Sequence, residues 1–148
     1  MKRIVKLMLM VIIIAGCDGI LLPSTSNAYV QAQGKVIVEN QDYSMLIDEF
    51  EWKEKDFETK KLTDSNIYDL ADEFKTLEVK NMDKLNIEIE QNPSSMIVIQ
   101  LNEDGTSETV ELKENEIILP VEKGYYIYEV KAEWNEGKIS YLFDIIIE

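Results

Sequence analysis

Twenty-nine carboxylates, one thiol and no imidazole make up the reactive inventory of this 148-residue chain. Without histidine, the usual general base near neutral pH and the commonest metal ligand are both missing. Ser-His-Asp and Cys-His catalysis and ordinary zinc sites therefore cannot be built. A lone cysteine, Cys17, excludes an internal disulfide. The carboxylates gather at Asp48, Glu49 and Glu51, at Asp69, Asp72 and Glu73, and at Glu103, Asp104 and Glu108. Two of them held roughly 5–9 Å apart across a cleft could serve a glycosidase as acid and base. Nothing in their spacing singles out such a pair, so they read as solvated faces and turns. Calcium, which takes hard oxygen ligands, is the one metal this inventory suits. Asn102-Glu103-Asp104-Gly105-Thr106 offers oxygens beside a glycine but lacks the EF-hand spacing, and reads as a hairpin turn. The expectation is a chain with no catalytic set, no metal and no cofactor.

Fifteen basic residues face the 29 acids, for a net charge of −14. Three of the basics (Lys2, Arg3 and Lys6) stand in the first six residues, where no acid occurs, so the rest of the chain is more acidic still. Such a surface repels phosphate backbones and anionic lipid, which argues against nucleic-acid binding and polybasic membrane adhesion. Hydrophobic residues at 45% and charged residues at 30% describe a globular domain.

The N-terminus has three parts. Met1 to Lys6 is basic, Leu7 to Ile14 is an unbroken apolar run, and Ala15-Gly16-Cys17 follows. The run is shorter than the ~20 apolar residues that span a bilayer, and it has the architecture of a secretory signal. Ile14-Ala15-Gly16-Cys17 resembles the lipobox of bacterial lipoproteins. That resemblance implies cleavage between Gly16 and Cys17 and a diacylglyceryl thioether on Cys17, with residues 1–16 as the signal peptide. It also implies a protein held by lipid on the extracytoplasmic face of the cell membrane. Residues 17–34 change character, with Pro23, Ser24, Thr25, Ser26, Asn27 and the Gln/Ala/Gly stretch polar or small and without period, as in a flexible tether.

From Lys35 to Glu148 the dominant period is two. Val36 and Val38, Leu77 and Val79, Leu85, Ile87 and Ile89, Val110 and Leu112, and Ile117 and Leu119 alternate with polar neighbours. Met96 to Leu101 is nearly all apolar and reads as a strand buried on both faces. Tyr126, Tyr128, Val130, Ala132 and Trp134 share one face of a long strand. After a turn at Asn135-Glu136-Gly137, Ile139, Tyr141, Phe143, Ile145 and Ile147 share one face of the last. These two strands should pair as a hairpin. A short helix is expected within 64–75, from Ile67, Leu70 and Phe74 behind an Asp64 or Ser65 cap. The pattern predicts an all-β fold, an immunoglobulin-like antiparallel sandwich of about seven to nine strands over residues 35–148.

Glu122-Lys123-Gly124-Tyr125-Tyr126 is the most specific segment of that domain. In immunoglobulin-like sandwiches an acidic-x-Gly-x-Tyr segment starts the penultimate strand, with the tyrosine hydroxyl bonded to an upstream backbone group. Tyr126 would be that corner tyrosine, Gly124 the turn residue and Glu122 the acid. The alternative is a simple turn at Gly124 and an ordinary core aromatic at Tyr126. With Pro120, Trp134, Gly137 and Ser140-Tyr141-Leu142-Phe143, the segment is similar to the end of a group of small Gram-positive lipoproteins. The resemblance covers the last third of the chain and implies fold and location, since the group has no assigned activity. Some relatives carry aromatic-Cys-Trp upstream. Here Glu51 stands between Phe50 and Trp52, with no second cysteine, so no role of a cysteine pair carries over.

Phe50 to Lys61 is charged and aromatic at once. Trp52 and Phe57 are either core residues at strand ends, the preferred reading for Trp52 given how tryptophan is usually buried, or an exposed partner contact. These features favour a membrane-anchored, non-catalytic binding or accessory module whose partner is an extracytoplasmic protein or wall polymer. The alternative is a proteinase inhibitor with a protruding loop within residues 53–66, suggested by a fainter similarity to immunoglobulin-like inhibitor domains.

Overall fold

The computed structural model describes residues 31–62 and 66–148, apart from the side chain of Phe57. The signal peptide, the Gly16–Cys17 cleavage point, Cys17 itself and most of the expected tether lie outside the described residues, as do Asp64 and Ser65. Packing is already under way at Ala32 and Gly34, both buried.

The longest strands are the last two, β10 (Gly124–Glu133) and β11 (Gly137–Ile147). They form an antiparallel hairpin with unbroken register from Gly124↔Ile147 to Glu133↔Lys138. Strand alternation sends Tyr126, Tyr128, Val130 and Ala132 inward with Ile139, Tyr141, Phe143, Ile145 and Ile147, and all nine are buried. Tyr128 and Phe143 face each other across the pair and stack, ring centroids 5.0 Å apart and 10° from parallel. The turn between the strands closes with reciprocal backbone bonds between Trp134 and Gly137.

Around this hairpin a seven-stranded sheet is completed by β3 (Leu46–Glu54), β4 (Phe57–Lys61), β5 (Leu77–Val79), β7 (Ser95–Asn102) and β8 (Ser107–Val110). A four-stranded sheet holds β1 (Gly34–Val38), β2 (Gln41–Ser44), β6 (Lys84–Ile89) and β9 (Glu116–Ile118), in the order β2-β1-β6-β9. Every pairing is antiparallel except β5 on β11. The outer edge of β11 is shared: β3 covers its first half and β5 its last three residues. In the large sheet β7, β10 and β11 lie side by side, and in the small one β6 pairs with both β1 and β9. The inner faces meet across Val36, Leu85, Ile87 and Ile117 of the small sheet, all buried. The Tyr141 hydroxyl crosses the seam to donate to the Ala32 carbonyl at 2.7 Å.

The fold is the expected all-β sandwich, with eleven strands among the described residues rather than seven to nine. The extra strands include β2 and β4, whose exposed residues carry no apolar alternation because backbone pairing alone holds them at sheet edges. The helix is shorter than expected. It spans Ile67–Ala71, and its N-cap is Asn66, whose side chain accepts from Tyr68 N. It lies on the outer face of the large sheet, where Ala71 is buried with Ile127 and Leu142. β7 is not buried on both faces. Val98 and Gln100 point inward, but Ile97 on the outer face is 49% exposed, because the helix segment covers only part of that face.

Gly137 stands opposite Trp52 of β3. A Cβ there would meet the Glu51 carbonyl oxygen at 2.2 Å and Trp52 Cα at 2.9 Å, backbone atoms that cannot swing aside. Gly137→Ala should therefore cost about 2–3 kcal/mol in denaturant unfolding, the scale of overpacking a tight site. A cost below ~0.5 kcal/mol, within the spread of neutral surface changes, would refute this close approach.

Candidate functional site

Glu122, Gly124 and Tyr126 come together at the start of β10. The Tyr126 hydroxyl donates to the Glu122 carbonyl at 2.9 Å, and Gly124 takes a φ of 153°, which side-chain-bearing residues rarely adopt. Burial, followed by the nearby carboxylates of Glu122, Glu103 and Glu108, raises the Tyr126 pKa. Those acids belong to a cleft of about 440 Å³ between the β7–β8 turn and residues 120–126.

A chain of hydrogen bonds runs from the core to the lip of this cleft. The buried Tyr128 hydroxyl donates to Gln100 Oε1 at 2.8 Å. Gln100 Nε2 donates to Asn102 Oδ1 at 2.9 Å and to Glu108 Oε1 at 3.2 Å. Asn102 Nδ2 donates to Thr106 Oγ1, which donates in turn to Asp104 Oδ1 at 2.6 Å. The Thr106 amide donates to the same Asp104 oxygen at 2.9 Å. These bonds from Thr106 hold the Asp104 carboxyl below its ordinary pKa. The turn thus uses Asp104 to fix its own backbone. Among the described residues no group of three or more His, Cys, Asp or Glu is placed to hold a metal ion.

The other carboxylates singled out by the sequence lie apart from this cleft. Asp48, Glu49 and Glu51 are on β3, and Asp69, Asp72 and Glu73 are in or just after the helix. Glu51 is paired with Lys60 at 3.4 Å and Lys138 at 4.0 Å. These pairs line a smaller groove of about 260 Å³ beside Leu62 and Lys131.

Trp52 lies among the buried residues of the core. It is 5% exposed, with its ring centroid 5.5 Å from that of Trp134. Trp134 itself is only half-buried, and its indole donates to the Gln91 carbonyl. The side chain of Phe57 is outside the described residues. Residues 57–61, within the segment expected to protrude as an inhibitory loop, form strand β4 paired along β3.

Asp144 was not foreseen. It sits on the outer face of β11 yet is 1% exposed, and accepts hydrogen bonds at Oδ2 from Tyr125 and Thr76. Its Oδ1 has no hydrogen-bond partner. Burial is the main cause of a raised Asp144 pKa, partly offset by the two donors. The apolar Tyr125, Ile127 and Leu142 on the same face were the available signal that something covers it. Three large apolar side chains remain exposed where loops meet at the cleft end: Met82, Ile118 and Val121. No helix among the described residues is long and apolar enough to cross a membrane.

Comparison with protein-family models, with curated proteins and with solved structures finds no match.

Tyr126→Phe keeps the buried ring and removes one hydrogen bond, so it should cost about 1 kcal/mol with an unchanged circular-dichroism spectrum. No measurable loss would show that the bond to Glu122 contributes nothing. The two aspartates should respond to pH with opposite signs. Asp144, raised in the fold, favours the folded state most when protonated, and that contribution declines as pH rises through its folded value. Asp104, lowered in the fold, stabilises at neutral pH, and that contribution is lost as pH falls through its folded value. In urea melts from pH 3 to 7, Asp144→Asn should therefore gain on the wild type as pH rises, and Asp104→Asn should lose ground. Parallel curves for either variant would contradict the corresponding shift.

Proposed function

We propose that this chain is a bacterial lipoprotein, lipidated on Cys17 and displayed on the extracytoplasmic face of the cell membrane, whose sandwich is a non-catalytic binding module. The basic leader, the short apolar run and Ile14-Ala15-Gly16-Cys17 support the location, with the chain's single thiol where acyl transfer needs a nucleophile. Two or more acyl chains hold a protein stably where one is marginal.

The observation that carries the binding reading is the state of the cleft. Gln100, Asn102, Asp104, Thr106 and Tyr126 are engaged with one another or with backbone, so they build a rigid lip. What that end offers outward is apolar side chains and charge. The chain has no histidine to poise for proton transfer. The partner proposed for that end is an extracytoplasmic protein or a wall polymer. The inhibitor alternative gains no support, because residues 57–61 are a paired strand.

Cells expressing the wild type should incorporate labelled palmitate into this protein and retain it in the membrane fraction. Cys17→Ser should abolish both. Palmitate entering the serine variant equally, or never entering the wild type, would overturn the anchor.

A further inference from the structure

We infer that the cleft end of the sandwich, formed by residues 80–83, 103–108 and 118–123, docks a basic polypeptide segment that also presents apolar side chains. This deepens the reading of the domain as a binding module and does not depend on the lipid.

The first observation is the grouping of exposed apolar residues. Met82, Ile118 and Val121 are 60%, 58% and 63% exposed. Singly, such residues need no explanation; gathered, they mark a contact surface. Here the backbone joins them. Met82 N donates to the Pro120 carbonyl at 3.3 Å, Asn81 Nδ2 donates to the Val121 carbonyl at 3.3 Å, and Lys84 pairs with Ile118. Ile117 takes the buried place on β9, which leaves Ile118 directed outward. Among the described residues β9 is also the last strand of its sheet, and beyond β6 it pairs only at Glu116, through the isolated bridge to Lys113.

The second observation is the charge beside the patch. Val121 also lines the cleft, and four acids share that lining (Glu103, Asp104, Glu108 and Glu122) against one base, Lys123. A surface of this kind selects by complementarity: a cation meets the acids while an apolar side chain covers Val121. The same charge argues against two other occupants. A second copy would bring acidic rims together in a chain already at −14, and an anionic membrane surface would be repelled. The groove beside Leu62 is a weaker candidate, because Glu51, Lys60 and Lys138 already neutralise one another there. The lip is pre-formed by the Gln100–Asp104 hydrogen bonds, so docking need not order it, which reduces the entropic cost of binding.

The test uses the full chain carrying Cys17→Ser, which removes the lipid and the need for detergent. Its binding to a short fluorescent peptide of Lys and Leu in amphipathic spacing is followed by anisotropy. Peptides in which Glu replaces Lys, or Ser replaces Leu, are the comparators. The Lys/Leu peptide should bind, and added salt should weaken it. Met82→Ser with Val121→Ser should weaken binding about tenfold, equivalent to ~1.4 kcal/mol. Glu103→Gln with Glu108→Gln should weaken it comparably, while Glu54→Gln with Glu136→Gln at the opposite end should leave it unchanged. All six positions are exposed, so unchanged thermal melts verify the fold of each variant. Absence of binding, equal binding by the Ser-containing peptide, or equal loss from the two acid pairs would overturn the inference. Dimerisation through this end, lost in Met82→Ser with Val121→Ser, would also overturn it. Failure here leaves the palmitate experiment untouched, and failure of that experiment leaves this one intact.

Discussion

The register of the closing hairpin is the constraint on which the rest of this domain depends. Strand side chains alternate between faces, so a one-residue slip of β11 against β10 would turn Tyr141, Phe143 and Ile145 to the wrong face and bring Asp144 into the core. Each large apolar side chain held inside contributes about 1.5–3 kcal/mol relative to exposure. The surface ion pairs compete poorly with that. Most, such as Lys53 with Glu58 or Lys113 with Glu111, join exposed side chains, and such pairs contribute ~0–1 kcal/mol. Hydrophobic register therefore decides the architecture, and charge decides how the surface meets other molecules.

Once the hairpin is in place, the remaining strands satisfy its open edges. β7 pairs along β10, while β3 and β5 divide the outer edge of β11, with a register shift between Ile139 and Tyr141 where β3 pairs. Among the described residues Gln100 and Asp144 are buried polar side chains, and the domain treats them differently. Gln100 is fully engaged, accepting from Tyr128 and donating to Asn102 and Glu108. Asp144 has donors on one oxygen only. A carboxyl with an unpaired buried oxygen is costly as an anion, which is why burial pushes its pKa upward. The polar chain ending at Asp104 stiffens the cleft lip without using apolar surface. Met82, Ile118 and Val121 stay exposed at the same end.

Much of this was legible in the residues. Period-two alternation marked both hairpin strands and their inner faces, because each is long enough to repeat the pattern several times. Gly124 and Tyr126 announced their local geometry, since few residues other than glycine tolerate such a φ and a buried tyrosine hydroxyl seeks a partner. What alternation cannot report is the cover on the outer face. Asp144 falls at an outward position, and is buried on the face where Thr76 and Tyr125 bond to it and Ala71 packs with Ile127 and Leu142. The polar edges β2 and β4 were illegible for a related reason: their stability comes from backbone pairing that any residue can make. Trp52 was ambiguous because its flanking charges resemble a surface, whereas the ring itself packs beside Trp134. The exposed cleft end was hidden because Met82 and Val121 sit in loops, far apart in sequence, and become neighbours only through the sandwich.

Native-state hydrogen exchange tests the primacy of the hairpin most directly. Hydrogen-bonded amides within 126–130 and 141–145 should exchange slowest, at the rate of global unfolding and with its dependence on denaturant. Those of β2, β4 and β8 should open locally and exchange faster. Central hairpin amides that exchange as readily as those of β4 would contradict the account, because the register would then not be the element that unfolds last.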